Sequence, residues 1–410
     1  MAEPLTRYQR RLFVFLSVAC FFEGYDFFAL SQLLPNLRHA LHLSESQAGL
    51  MLTVVNLGTV VAYLLVRMGD QWGRKKLMTV TIIGYTLTTF LTGFATSAVF
   101  FALAQFLARV FLIAEWAISM VYAAEEFPAE RRGMVIGVIQ AASSLGGIVC
   151  AGVVPLLLKT PYGWRVVYWS ALIPLALIAY LRRDLRETQK FLDRRAVGEI
   201  SQSLLRIWST PSKTWVLRVS VLWILTYIGT SSAVLYWKEF AVHERGFTDA
   251  EVSKAITIAA LGSMPLAFGA GKLIDLFGRR RGGALIYAVA ALGIFGAYTL
   301  HSPATLTVAL TLGIFGATAV LPVMNAITAE LFPTELRADA YAWCNNLLGR
   351  IGYVFTPLVI GAAAERLKAH GPVLAVTPVV LVAAVLWMFV MVPETRGRDV
   401  DNEGFSQAQP

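Results

Sequence analysis

The chain has 410 residues, 57% of them apolar and 15% charged, with a mean hydropathy of +0.62; a soluble protein of this size carries about 25% charge, so a polytopic membrane protein is expected and a soluble domain is excluded. The net charge of +9 does not point to nucleic acid, because the basic residues cluster in short loops between apolar spans, where they act as topology signals. Cys20, Cys150 and Cys344 each lie in an apolar span without metal-ligand spacing, so they read as small core residues and no metal is expected.

The chain begins MAEPLTRYQRR and runs into an apolar stretch longer than a signal-peptide core, with no A-x-A-like cleavage site behind it. An uncleaved first membrane helix is expected near 12–37. Glu23 and Asp26 sit one turn apart in the middle of it. Each charge at the centre of a membrane helix costs about 2.5–3.5 kcal/mol, so something must offset that cost or use it. Further spans are expected near 47–68, 77–97, 98–122, 133–158 and 164–181. A polar, amphipathic linker at 184–212 follows, suited to the membrane surface or to covering one face. The second set is expected near 215–240, 250–274, 283–300, 304–328, 338–363 and 373–392. The fold class is thus all-α membrane protein with twelve spans, six in 1–183 and six in 213–410.

Lysines and arginines set the orientation. Arg7, Arg10 and Arg11 precede the first span, Arg74, Lys75 and Lys76 follow the second, Arg131 and Arg132 the fourth, and Arg279 to Arg281 the eighth. With the basic linker, all of these fall on one side, which is expected to be cytoplasmic together with both termini. The opposite loops carry scattered charges such as Arg38, Lys159, Arg245 and Lys368.

The two halves repeat one another. Asp70, Gly73 and Arg74 of GDQWGRKK match Asp275, Gly278 and Arg279 of DLFGRRR, and AEEFPAERR at 124–132 matches AELFPTELR at 329–337. A constant offset of about 205 residues across two motifs argues for duplication of a six-helix unit. Parallel six-helix repeats are a transporter architecture, with the substrate site near the midplane.

Here the chain resembles the major facilitator superfamily over essentially its whole length. GDQWGRKK is similar to that superfamily's signature between the second and third helices, G-x-x-x-D-x-x-G-R-[RK]-x-[RK]; Asp70, Gly73, Arg74 and Lys76 stand, and the first glycine of the pattern falls at Val66. EGYD at 23–26 resembles the DGYD-type motif of aromatic acid:proton symporters, with Glu23 for the first Asp, and GYD also resembles the first helix of proton-coupled sugar porters. EEFPAERRG and PETRGR are shared by sugar porters, metabolite:proton symporters and organic ion transporters. GRIGYVFTPLV at 349–359 looks like the eleventh helix of organic anion transporters and aromatic-acid symporters, where the arginine matching Arg350 helps bind anionic substrates. A first outer loop of about ten residues and the lack of an N-x-[ST] acceptor fit a bacterial inner-membrane relative better than the animal carriers.

The charged residues inside the spans carry the functional reading. Asp26 and Arg109 fall near the middle of the first and fourth spans, where a carboxylate and a guanidinium can offset each other's desolvation. Protonating Asp26 would neutralise it and release Arg109, as the resemblance to sugar porters implies; a static pair is the alternative. Two nearby carboxylates resist ionising together, which suits a proton site without saying whether Glu23 or Asp26 carries it. Glu115 is a second carrier or a brace for arginines. Arg350 has no acidic residue at similar depth in the second half, so it is poised for an anionic ligand, or else it partners Asp26 or Glu23. Asn345, Asn346 and Tyr353 flank it and either bind substrate or pack; among the aromatics Trp223, Tyr227, Tyr236 and Trp237, Tyr227 can line the cavity. Lys238 and Glu239 are expected to reach water at their helix end.

The resemblance further implies an inner gate. Gly69, Asp70, Gly73, Arg74 and Lys76 would form it in the first half, with Glu125, Arg132 and Arg186 as partners. Asp275, Gly278, Arg279, Glu330 and Arg337 would form it in the second. No nucleotide-binding G-x-x-x-x-G-K-[ST] motif and no nucleophile–base group is visible, so neither an ATP machine nor an enzyme is expected. The reading is a secondary active transporter that imports a small organic anion, aromatic carboxylates among the candidates, with protons as coupling ion. No other cofactor and no nucleic-acid partner are expected, and the protein is expected as a monomer in the bilayer. The alternatives are a carrier of a neutral metabolite such as a sugar, a proton-driven exporter, or a non-transporting receptor on the same fold.

Overall fold

The computed structural model describes residues 5–170, 172–173, 185–196, 204–231 and 233–396. Among these residues the chain is helical, with no strand. Helices α1 (Arg7–Ala40), α2 (Glu45–Trp72), α3 (Arg74–Thr92), α4 (Ala98–Glu126), α5 (Ala129–Leu158) and α6 (Trp164–Trp169) are followed by α7 (Gln189–Ala196) and a 3-10 turn at Leu204–Ser209. The second set is α8 (Lys213–Ser231), α9 (Trp237–His243), α10 (Asp249–Phe277), α11 (Arg279–Thr299), α12 (Pro303–Leu331) and α13 (Arg337–Tyr341). A π-helical segment (Ala342–Gly349), α14 (Arg350–Leu367), α15 (Gly371–Val376) and α16 (Pro378–Met391) complete it.

Hydroxyl caps mark where several helices begin. Thr6 accepts the Gln9 amide while the Gln9 side chain accepts the Thr6 amide, and Thr248 and Glu251 repeat that reciprocal cap on α10. Ser97 and Ser302 cap α4 and α12, with Pro303 at the first turn of α12.

Nine described helical stretches are long and apolar enough to cross a membrane. The other three expected spans differ for physical reasons. α3 is continuous over Arg74–Thr92, but three cations open it and its many threonines, Thr81, Thr86 and Thr89 among the buried ones, lower its hydropathy. The sixth expected span lies largely outside the described residues. The seventh is divided: α8 ends at Ser231, where the sequence turns polar, and a turn at 233–236 precedes α9.

The chain divides into two compact units, Met1–Leu43 with Val54–Ser201, and Ser44–Thr53 with Gln202–Pro410. In the first, α1 lies against α5 so closely that a Cβ at Gly24 would stand 1.9 Å from the Ser143 carbonyl oxygen, and one at Gly146 would stand 1.8 Å from that of Phe21. Small residues permit this backbone contact, the usual way helices associate in lipid. Leu12, Phe15 and Leu16 of α1 share a core with Leu77, Met78 and Ile82 of α3, Ile118 and Tyr122 of α4, and Val135 and Ile139 of α5.

In the second unit α8 packs on the π-helical segment and α14. A Cβ at Gly349 would meet Trp223 Cβ at 2.7 Å, and one at Gly352 would meet the Ile224 carbonyl oxygen at 2.4 Å. The start of α2 belongs to this unit: Glu365 accepts from the Ser44 hydroxyl and the Ser46 amide, and Glu45 Oε2 lies 3.0 Å from His370 Nε2. Lys238 and Glu239 do not reach water, because the break before α9 folds them inward. They are 2% and 1% exposed, with Lys238 Nζ 2.7 Å from Asp249 and Glu239 Oε1 3.2 Å from His243 Nδ1.

Candidate functional site

Three groups of side chains stand out: one in the first unit, one that occurs once in each unit, and one in the second. The first is the buried charge cluster of α1 and α4. Asp26, Arg109 and Glu115 are 7%, 3% and 3% exposed. The Arg109 charge acts on both Asp26 and Glu23, and Glu115 interacts with Glu23, so the four form one electrostatic group. No direct ion pair joins Asp26 and Arg109 among the described residues. The guanidinium instead stands 5.1 Å over the Phe27 ring, and its Nη1 is buried without an acceptor. Glu23 accepts a 2.8 Å hydrogen bond from Ser143 across the glycine crossing of α1 and α5. Gln32 of α1 was not singled out from the sequence. It is 1% exposed, and neither amide atom has a hydrogen-bond partner among the described residues. A lone glutamine in an apolar stretch was the available signal.

The second group is a pair of arginine networks, one per unit, built alike. Arg74 Nη1 donates to the Gly69 carbonyl at 2.9 Å and lies 3.0 Å from Asp70, while Nη2 donates to Glu125 at 3.4 Å. Arg279 Nη1 donates to the Ile274 carbonyl at 3.0 Å and to Asp275 at 2.8 Å, and Nη2 and Nε grip Glu330 at 2.7 and 3.0 Å. A second carboxylate closes each network. Glu187 accepts from the amides of Arg74 and Lys75, and Glu394 from those of Arg279 and Arg280. The hydroxyls of Thr188 and Thr395 each donate at 2.6 Å to Glu125 and Glu330.

Glu187, Thr188 and Thr395 were missed from sequence, and Glu394 was read only as part of a shared motif. Their signal is an ET dipeptide repeated at 187–188 and 394–395, close to the offset of the other motifs. Gly73 and Gly278 are required twice over. Their φ values of 93° and 86° suit glycine, and a Cβ would lie 2.3 Å from Glu187 Oε2 or 2.7 Å from Glu394 Oε2. Gly69 leaves a Cβ only 3.0 Å from Leu77.

The remaining expected partners lie apart from these networks. Lys76 stands over the Trp72 ring, Arg186 over the Tyr8 ring, and Arg337 donates to the Phe332 carbonyl at 3.4 Å. The side chain of Arg132 lies outside the described residues.

The geometry ranks the network members. Asp70 is 46% exposed and Glu125 7%, so the first is a surface pair, worth about 0–1 kcal/mol, and the second holds a buried guanidinium. Losing one partner of a buried pair costs about 3–5 kcal/mol. Glu125→Gln is therefore expected to lower the rate of substrate exchange far more than Asp70→Asn, with substrate affinity unchanged in both. Initial exchange rates and calorimetry on the two variants check this.

Glu394 gives a pH test outside the spans. Partial burial pushes its carboxyl up, but the amides of Arg280, Arg279, Arg396 and Thr395 more than offset that, and its pKa lies below the ordinary value. A depressed folded-state pKa means the stabilisation is complete above the unfolded value near 4.3 and is lost as pH falls through the folded value. The difference in melting temperature between the wild type and Glu394→Gln should be constant near neutrality and shrink only below about pH 4.

The third group surrounds Arg350, at the first turn of α14. Its guanidinium lies 5.1 Å over the Tyr227 ring and 5.5 Å over that of Tyr353, two cation–π contacts. Tyr227 is held from three sides: Trp223 stacks on it at 5.4 Å, Tyr353 meets it edge-on at 5.8 Å, and its hydroxyl donates to Asn345 Oδ1 at 2.6 Å. That bond orients the Asn345 amide, whose NH₂ donates to the Tyr341 hydroxyl and keeps one hydrogen to spare. Asn345 comes from the π-helical segment, a rare turn that recurs at functional sites. Asn346 is half-buried beside it. Arg350 has no carboxylate partner among the described residues, and its Nε is buried without an acceptor. A cation with planar walls and a neighbouring amide donor can grip a carboxylate through two parallel hydrogen bonds.

A family model described as Major Facilitator Superfamily matches residues 16–240 and 219–409. The chain is 28% identical to a probable 4-methylmuconolactone transporter of Cupriavidus pinatubonensis, over 94% of this chain and 91% of that one. It is 25% identical to a gallate transporter of Pseudomonas putida, over 88% and 86%. Among solved structures, the D-xylose-proton symporter superposes with a TM-score of 0.78 at 20% identity, over 95% of this chain and 99% of that one.

Proposed function

The chain belongs to the major facilitator superfamily, and from that premise we propose that it is a proton-coupled symporter of a small organic anion, with planar and aromatic carboxylates the favoured class. It is a membrane transporter and not an enzyme. The observation that carries the substrate class is Arg350, in cation–π contact with both Tyr227 and Tyr353 beside an oriented Asn345 and free of any carboxylate among the described residues. Relatives named for 4-methylmuconolactone and gallate support the same class.

In this reading the substrate carboxylate meets the Arg350 fork, the Asn345 amide donates to a second polar group, and the aromatic walls exclude water. Asp26 carries the coupling proton. When it is charged, Arg109 is held by electrostatic attraction. When it is protonated, that hold weakens and the unit relaxes toward its other conformation, so proton and substrate cross together by alternating access. In the same reading the Arg74 and Arg279 networks bias which conformation is shut on the side of the basic loops, with that side facing the cytoplasm and the protein in a bacterial inner membrane.

Thermal unfolding of the purified protein with equal concentrations of carboxylates, sugars and amines tests the class. A ligand present at a hundred times its Kd stabilises by about 2.7 kcal/mol. Stabilisation by aromatic or unsaturated carboxylates alone is the expected result. Stabilisation by sugars alone would replace the anion with a neutral metabolite.

A further inference from the structure

A cavity of about 360 Å³ opens in the second unit, apart from the Arg350 group, lined by Phe277, Arg280, Arg281, Phe389, Glu394 and Arg396. We infer that it seats the phosphodiester headgroup of an anionic phospholipid.

Charge comes first. Three guanidinium groups face one carboxylate, and that carboxylate is already engaged. Glu394 Oε1 accepts from the amides of Arg279, Thr395 and Arg396 at 2.7, 3.1 and 3.1 Å, and Oε2 from that of Arg280 at 3.0 Å. The two arginines that are fixed are fixed by neutral groups. Arg280 donates to the Phe389 carbonyl and lies 4.8 Å over its ring, and Arg396 Nη1 donates to the Leu276 carbonyl at 2.7 Å. Carbonyl anchoring orients a guanidinium without neutralising it. Arg280 Nε is buried without an acceptor, and exposed Arg281 makes no hydrogen bond or ion pair among the described residues. The cavity is therefore cationic, with fork-shaped donors that match a phosphate.

Its walls select the lipid over free phosphate. Phe277 ends α10 and is 54% exposed; Phe389 lies in the last turn of α16 and is 41% exposed. Both helices are apolar spans, so the cations stand where span ends meet the headgroup layer and the two rings border them with an apolar surface for acyl chains.

The repeat supplies an internal comparison. In the first unit the positions of Phe277, Arg280, Arg281 and Arg396 are taken by Trp72, Lys75, Lys76 and Gln189. There Lys76 sits 5.3 Å over the Trp72 ring and Gln189 donates to Asp193 at 2.8 Å. Two lysines without the third cation lack the fork geometry, so the cationic cavity is a feature of the second unit.

The test uses full-length protein stripped of lipid in detergent and offered equal amounts of phosphatidylglycerol and phosphatidylcholine, with bound lipid counted by native mass spectrometry. The wild type should retain phosphatidylglycerol preferentially. Arg281→Ala, which removes no hydrogen bond or ion pair among the described residues, should weaken retention about fivefold, and Arg281→Ala with Arg396→Ala about thirtyfold. Lys75→Ala with Lys76→Ala should leave retention unchanged. Equal losses in the two double variants would reduce the effect to diffuse surface charge and overturn the site. Displacement of the lipid by excess inorganic phosphate, with no preference between the two lipids, would overturn the lipid as its occupant.

Discussion

Arg350→Ala is expected to abolish measurable binding of the anionic substrate, and Arg350→Lys to weaken it by about tenfold to a hundredfold. A charge-assisted hydrogen bond is worth about 1.5–3 kcal/mol, and each 1.4 kcal/mol is a factor of ten in affinity. Lysine keeps the positive charge but offers one ammonium where the guanidinium offers two parallel donors, and it loses the planar contact with Tyr227 and Tyr353. Alanine loses everything, and Tyr227 and Asn345 then face the ligand without the charge that recruits it. Calorimetry with the carboxylate that gives the largest thermal shift reads both variants. Affinity unaltered in Arg350→Ala would sink the organic-anion assignment.

The second large effect is expected at Asp26. Asp26→Asn mimics the protonated carboxyl, so uptake against a gradient should vanish while exchange of substrate across the membrane survives. Energy coupling requires that the residue change charge during the cycle, whereas exchange requires only that the conformations interconvert. The Asp26 carboxylate is buried near Arg109 but not locked to it by a direct ion pair, so its neutralisation redistributes the field without breaking a bridge. Proteoliposomes with and without an imposed pH difference separate the two activities. Uphill uptake at the wild-type rate with unchanged pH dependence would shift the proton to Glu23 or Glu115, and Glu23→Gln and Glu115→Gln would then be measured in the same way.

What the sequence made legible follows from which quantities run along the chain. Hydropathy does, so most spans were read within a few residues. Depth does too, by counting, which placed Asp26, Arg109 and Arg350 near mid-span. Rotation about a helix axis does not show in a count of residues, and so the expected direct pair of Asp26 with Arg109 appears instead as a guanidinium over Phe27. The end of α8 at Ser231 was hidden because the polar run Thr230-Ser231-Ser232 is too short to outweigh the apolar residues on either side in a hydropathy average. Burial of Lys238 and Glu239 follows from that break. Glu187 was overlooked for a different reason: it sits in a polar stretch where one more charge carries no contrast, and only comparison with Glu394 in the other half raises it above its surroundings.

The π-helical segment at Ala342–Gly349 has a consequence for phase. A wider turn lodges one residue more than an α-helix would over the same rise, so the faces before and after it are offset by about 100°, one residue's rotation. Tyr341 lies on one side of the surplus residue and Arg350 on the other. Rewinding the segment as an ordinary α-helix with all its residues kept would remove that offset. The two stretches would then swing about their common axis, and Arg350 would turn away from Tyr227 with its own composition untouched. The aim of Arg350 toward Tyr227 is thus stored in the winding of the segment as well as in the identity of its residues.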